Sequence, residues 1–125
     1  MRNLARLMVL LLAMGLSESV LAGPLEDARA AYVKQDYATA LRLFRPLADQ
    51  GDADAQSMLG LMYDNGQGVP KDDVLAYMWR NLAAAGASDA DTRERAAKAR
   101  DALATMMTPA QVTEAQKRAS AWQPK

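Results

Sequence analysis

Between Ala55 and Gly86 two helix-forming segments flank a loop written Asp64-Asn65-Gly66-Gln67-Gly68-Val69-Pro70. Apolar residues recur along one side of each segment: Ala55, Leu59, Met62 and Tyr63 before the loop, then Leu75, Ala76, Trp79, Leu82 and Ala83 after it. The three- and four-residue spacing marks an amphipathic helix, and the glycines supply the positive φ that lets the chain leave one helix and turn back. Two short antiparallel helices cannot cover such a stripe alone. The unit must therefore stack on a copy of itself, which restricts the chain to an α-helical array.

The same periodicity runs through nearly everything after Pro24, without strand-like alternation. It predicts a first helix over Leu25–Gln35 with Leu25, Ala28, Ala31 and Tyr32 on one face. Asp36 caps a second, Tyr37–Gln50, with Ala40, Leu41, Phe44, Leu47 and Ala48 inward. Pro46 falls inside this stretch and predicts a kink or an early end. Gly51 stops the helix and Asp52 caps a third, Ala53–Asn65. Gly60, beside Leu59, costs about 1 kcal/mol relative to alanine, so close helix contact is its expected use. Asp72 or Asp73 opens a fourth helix, and a fifth spans Asp89–Met107 with Ala96, Ala99, Leu103 and Met106 inward. Thr108-Pro109-Ala110-Gln111 is a capping box with proline at the first helical position. It opens a last helix to Ala121 that buries Val112, Ala115 and Ala119.

The two central hairpins superimpose in sequence. Ala40 and Ala76, Leu43 and Trp79, Leu47 and Ala83, and Ala48 and Ala84 share one offset. Tyr32 and Tyr63, which end the preceding helices, stand closer because the first turn lacks the Gly66–Lys71 loop. Ala55, Leu59, Gly60, Met62, Tyr63, Gly66, Gly68, Val69, Ala76, Trp79, Ala83, Ala84 and, shifted, Gly86 resemble the pattern of the Sel-one-like repeat family, a relative of the tetratricopeptide repeat. The resemblance implies an all-α, right-handed α–α solenoid with C-terminal capping helices, and a role in protein–protein interaction. Laid on the chain it gives a partial repeat over 24–51, a full repeat over 52–87 and a cap over 88–125. Some secreted members pair cysteines within each repeat. This chain has no cysteine, so activities of that subgroup such as β-lactam binding do not carry over.

Residues 1–22 read as a secretory signal. Arg2 and Arg6 precede the apolar run Leu7–Leu16, and Val20-Leu21-Ala22 suits cleavage before Gly23. The run is far short of the roughly 20 residues that span a bilayer, so no stable membrane insertion is expected after cleavage. A periplasmic or secreted protein follows. The remaining 23–125 form one helical-repeat domain with 13 basic and 14 acidic side chains, a balance that offers nothing to nucleic acid or an anionic membrane. Without histidine or cysteine, the commonest neutral-pH acid–base group, the usual zinc ligands and thiolate chemistry are missing. No cofactor is implied.

The remaining chemistry reduces to local roles. Asp64, Asn65, Asp72 and Asp73 around the glycine turn invite a calcium reading, but the spacing is wrong and the twelfth-position glutamate is absent; a helix C-cap followed by an N-cap aspartate accounts for them. Asp49, Asp52 and Asp54 cluster at one helix start, where acids are favoured. Ser57 has no activating base. Met62 and Met106 lie on core stripes, and Trp122 fits either cap packing or an exposed anchor. By analogy with tetratricopeptide arrays, the first helix of each pair lines the concave side. That nominates Asp54, Ser57, Leu61, Asp64 and Asn65 on the third helix and Glu26, Ala30, Val33 and Lys34 on the first, with Leu61 as apolar anchor for a protein partner. The competing expectation is an envelope enzyme or wall-active protein acting on peptidoglycan or β-lactams, for which no nucleophile–base pair is visible.

Overall fold

The computed structural model describes residues 23–125; the expected leader and its cleavage point lie outside them. Six helices follow one another: α1 Gly23–Val33, α2 Tyr37–Asp49, α3 Ala53–Asn65, α4 Asp73–Gly86, α5 Ala90–Ala104 and α6 Pro109–Ala121. Among the described residues there is no strand, and no helix is long and apolar enough to cross a membrane.

Helix starts are written locally. The side chains of Asp36, Asp52, Asp72 and Asp89 accept from the backbone N–H three residues on, at 3.3, 2.9, 3.0 and 2.8 Å. At α6 the N–H of Gln111 donates to Thr108 Oγ1 at 3.2 Å, and the N–H of Thr108 donates back to Gln111 Oε1 at 2.9 Å. Each cap satisfies an otherwise orphaned donor and contributes about 1 kcal/mol. The Thr92 N–H beside Asp89, and the Thr39 contacts beside Asp36, hold both carboxyls below the usual aspartate range.

Helix ends depart from expectation in three places. α1 stops at Val33, because Gln35 adopts φ +62° and the Asp36 N–H bonds to the Ala31 carbonyl at 2.9 Å. In the second hairpin Gly66 takes that left-handed place with φ +66°. α2 does not end at Pro46 but continues to Asp49. Pro46 and Arg42 are both exposed, so the Arg42 carbonyl that loses its amide donor lies on the solvent side of the helix. α5 ends at Ala104, and Met106, expected in the core, is 70% exposed. The N–H groups of Thr105, Met106 and Met107 bond to carbonyls three residues back. This tighter winding rotates Met106 off the apolar stripe.

α4 is the hub: it packs against α3, α5 and α6, while α2 joins α1 to α3. Five successive α4 residues, Ala76, Tyr77, Met78, Trp79 and Arg80, are buried as a result. Phe44, Leu59, Met62 and Leu103 are fully enclosed. A seam of polar groups locks the α3–α4 loop onto the first hairpin. The Tyr32 hydroxyl donates to Gln67 Oε1 at 2.9 Å, and Gln67 Nε2 donates to the Tyr37 hydroxyl at 3.3 Å. Beside it Gly68 has φ +73°, and a Cβ there would stand 3.0 Å from the Tyr37 carbonyl oxygen. Gly68→Ala combines left-handed strain with a backbone clash. It is expected to cost about 2 kcal/mol, read as a lower thermal midpoint.

The far end of the chain returns to the junction of α2 and α3. Trp122 is half-buried against the core, with Cη2 3.9 Å from the place a Cβ on Gly51 would take. The N–H of Lys125 donates to the Asp49 carbonyl at 2.8 Å. Of the two roles open to Trp122, the structure shows packing.

Candidate functional site

α1, α3 and α5, the first helices of successive pairs, border one open cleft of about 350 Å³. Arg29 contributes from α1, Asp54, Ser57, Met58 and Leu61 from α3, Thr92, Arg95, Ala96 and Ala99 from α5, and Arg80 reaches in from α4. The α3 residues recur at three- and four-residue intervals opposite the buried stripe of Ala55, Leu59 and Met62, so one helix serves the core with one side and the cleft with the other. Leu61 is the telling member. Among the described residues, every other leucine is either buried or packed against the core; Leu61 is half-buried and does neither.

The cleft's base is fixed by a largely buried ion pair. Arg80 Nη2 stands 3.0 Å from Asp64 Oδ2, with the arginine side chain 11% exposed, and Arg80 Nη1 donates to the Ala99 carbonyl at 3.4 Å. This tie joins α3, α4 and α5. Arg80 passes close over Gly60, where a Cβ would stand 2.8 Å from Arg80 Cγ. Gly60 thus has the close-contact use expected of it. At the opposite rim Arg29 bridges Glu26 at 3.4 Å and Asp54 at 3.3 Å.

The nominated residues separate on this geometry. Asp54, Ser57 and Leu61 line the cleft. Asp64 is committed to Arg80 and to Lys71, whose Nζ lies 3.5 Å away. Asn65 is exposed at the C-terminal end of α3, and Lys34 and the 80% exposed Val33 sit at the α1–α2 turn, outside the lining. Glu26 reaches the rim through Arg29, and Ala30 is exposed but not in the lining. Around the glycine turn, the Lys71 ammonium binds Asp73 at 2.7 Å as well as Asp64. The Asp73 contact leads in raising the lysine's pKa.

Sequence reading missed Arg80, Arg95 and the α5 alanines as cleft residues. An arginine inside an apolar stripe reads as the solvated edge of that stripe, and nothing local reveals that Asp64 waits one hairpin arm away. It also missed Gln56, buried at 2% exposure, whose Nε2 donates to the Ala48 carbonyl at 3.2 Å. Arg45 Nη2 donates to the Tyr63 hydroxyl at 2.6 Å, a further tie between the two hairpins.

Comparison with known families gives the repeat its name. Residues 27–52 and 53–88 each match the Sel1 repeat, one match over most of α1 and all of α2, the other over α3 and α4. No curated protein matches the chain in sequence. Sel1 repeats are helical units of protein–protein interaction, so proteins are the general class of partner. Two such repeats, continued by α5 and α6 around a shared core, make the domain an all-α helical-repeat solenoid, and the chain belongs to the Sel1 repeat family.

Proposed function

We propose that this protein is an exported adaptor that holds a segment of another protein in the cleft between α1, α3 and α5, without catalysing a reaction. The observation that carries the reading is Leu61: an aliphatic side chain turned away from the core into an open groove between repeats. A small array that commits its other leucines to the core and keeps this one in a concave cleft has the anatomy of an apolar contact point ringed by polar groups. Export is supported by the Arg2–Ala22 segment, with its basic start, apolar run and small-residue cleavage pattern.

Leu61→Arg tests the binding face. The variant is expected to keep the helical signal and melting midpoint of the parent, because Leu61 contributes nothing to the core, and to lose stoichiometric capture of the protein partner in affinity purification. Undiminished capture by this variant would refute the assignment. Turnover of a peptidoglycan or β-lactam substrate by the pure protein would overturn the non-catalytic reading. Export is checked separately by fractionation and N-terminal sequencing, with a mature chain expected to begin at Gly23.

A further inference from the structure

We infer that the cleft selects an acidic–apolar protein segment: an aliphatic or aromatic side chain seated on Leu61, with an aspartate or glutamate within about three positions of it facing Arg95. The inference rests on the adaptor reading and narrows it to one chemistry of guest.

Three arginines and one aspartate line the cleft. Two of the three are already answered. Asp54 lies 3.3 Å from Arg29, and Asp64, behind the cleft, lies 3.0 Å from Arg80. Arg95 is exposed and has no carboxylate within 4.0 Å among the described residues. Its neighbours on α5 do not cancel it inside the cleft. Asp91 and Glu94 border a separate shallow depression with Lys98 and the flank of Arg95, and Glu94 is bonded to Lys98 at 2.9 Å. Asp89 feels the Arg95 charge but spends its carboxylate on the Thr92 N–H. Arg95, on the wall of the groove and without an ion-pair partner among the described residues, is thus open to an incoming carboxylate, which its guanidinium can meet with paired, charge-assisted hydrogen bonds.

The apolar half of the guest follows from the floor. Leu61 and half-buried Met58 form one side, and the opposing α5 wall carries alanine at 96 and 99. Small side chains there keep open the space that a larger residue would fill. A cleft of 350 Å³ is about 9 Å across if equant, and an extended chain advances about 3.3 Å per residue. The anchor and the acid must therefore fall within about three positions. A single unpaired guanidinium over an apolar floor suits such a segment better than a polyanion, which needs several cations in a row.

The test is selection of random dodecapeptides displayed on phage by the purified protein, run in parallel on Arg95→Glu and Ala99→Phe. The parent is expected to enrich peptides in which Asp or Glu lies within three positions of Leu, Ile, Met or Phe. Arg95→Glu is expected to replace that acid preference with Lys or Arg, and Ala99→Phe to abolish enrichment by filling the groove. A synthetic peptide from the enriched set should bind Arg95→Glu at least tenfold more weakly than the parent in fluorescence anisotropy. Basic or charge-neutral enrichment on the parent, an unchanged acid preference on Arg95→Glu, or no enrichment at all overturns the inference. So does Arg95-dependent binding of an oligonucleotide or of anionic phosphatidylglycerol vesicles in place of peptide. The Leu61→Arg capture experiment is independent of these arms: if it succeeds while the selection fails, the adaptor stands and only the chemistry of its guest is wrong.

Discussion

Removal of Thr108–Lys125 is expected to unfold the whole domain. α6 packs directly on α4, burying Ala115 and Ala119, and Gln116 Nε2 donates to the hydroxyl of buried Tyr77 at 3.3 Å. Truncation would uncover Tyr77 and half-buried Val74 on the hub helix, and would strip Trp122 from its seat at Gly51. Re-exposing large apolar side chains costs about 1.5–3 kcal/mol each. The sum, about 5 kcal/mol, is comparable to the entire stability of a domain this small, roughly 5–15 kcal/mol. The shortened chain should show no cooperative thermal transition and a collapsed amide dispersion by NMR. A truncated chain that melts like the intact one would show that α6 is an appendage.

Gly60→Leu is the largest expected effect of a single substitution. Position 60 lies where α3 crosses α4, with a Cβ site 2.8 Å from Arg80 Cγ and 3.3 Å from the Ala76 carbonyl oxygen. The arginine cannot swing aside without giving up Asp64 and the Ala99 carbonyl, and the backbone of α4 cannot move without shifting α5 and α6. Leucine is the better helix former by about 1 kcal/mol, which alone would stabilise. Overpacking by 1–3 kcal/mol together with disruption of a largely buried ion pair outweighs that gain. A net loss of about 3 kcal/mol is expected, a fall in Tm of roughly 10–20 °C. Gly60→Ala should lie between the two. A Gly60→Leu protein melting at or above the parent would mean that the two helices have slack at the crossing.

These two sites mark the boundary of what the chain discloses to a reader without coordinates. Features built within one turn of backbone were legible: the aspartate caps at 36 and 52, the capping box at Thr108, the left-handed Gly66, and the α3 stripe of Ala55, Leu59, Met62 and Tyr63. Each depends on residues three or four apart. Periodicity also placed Asp54, Ser57 and Leu61 opposite the core, because a helix with one buried side leaves the other free. It failed where burial is set by several neighbours at once. α4 is enclosed on three sides, so Tyr77, Met78 and Arg80 are buried outside the stripe that spacing reveals. Met106 failed in the opposite direction, since the change in winding after Ala104 is settled by carbonyl partners that spacing does not specify. The cleft needed three helices to be brought together, and the α5 wall with Arg95 and Ala99 was invisible until they were.

The Lys125–Asp49 bond and the Trp122 seat change how the array should come apart. Stacked repeats ordinarily touch only their neighbours, so a linear stack frays from either tip and each module opens with its own free energy. Here Lys125 is fastened to the end of the second helix, so the C-terminal segment is tied back to the α2–α3 junction. The C-terminal tip is therefore not loose in the usual sense: peeling the final helix drags on the end of the first hairpin. Amide hydrogens in α2 and α6 should therefore exchange at one common rate, and a further module grafted after Ala121 would have to break the clasp before it could stack.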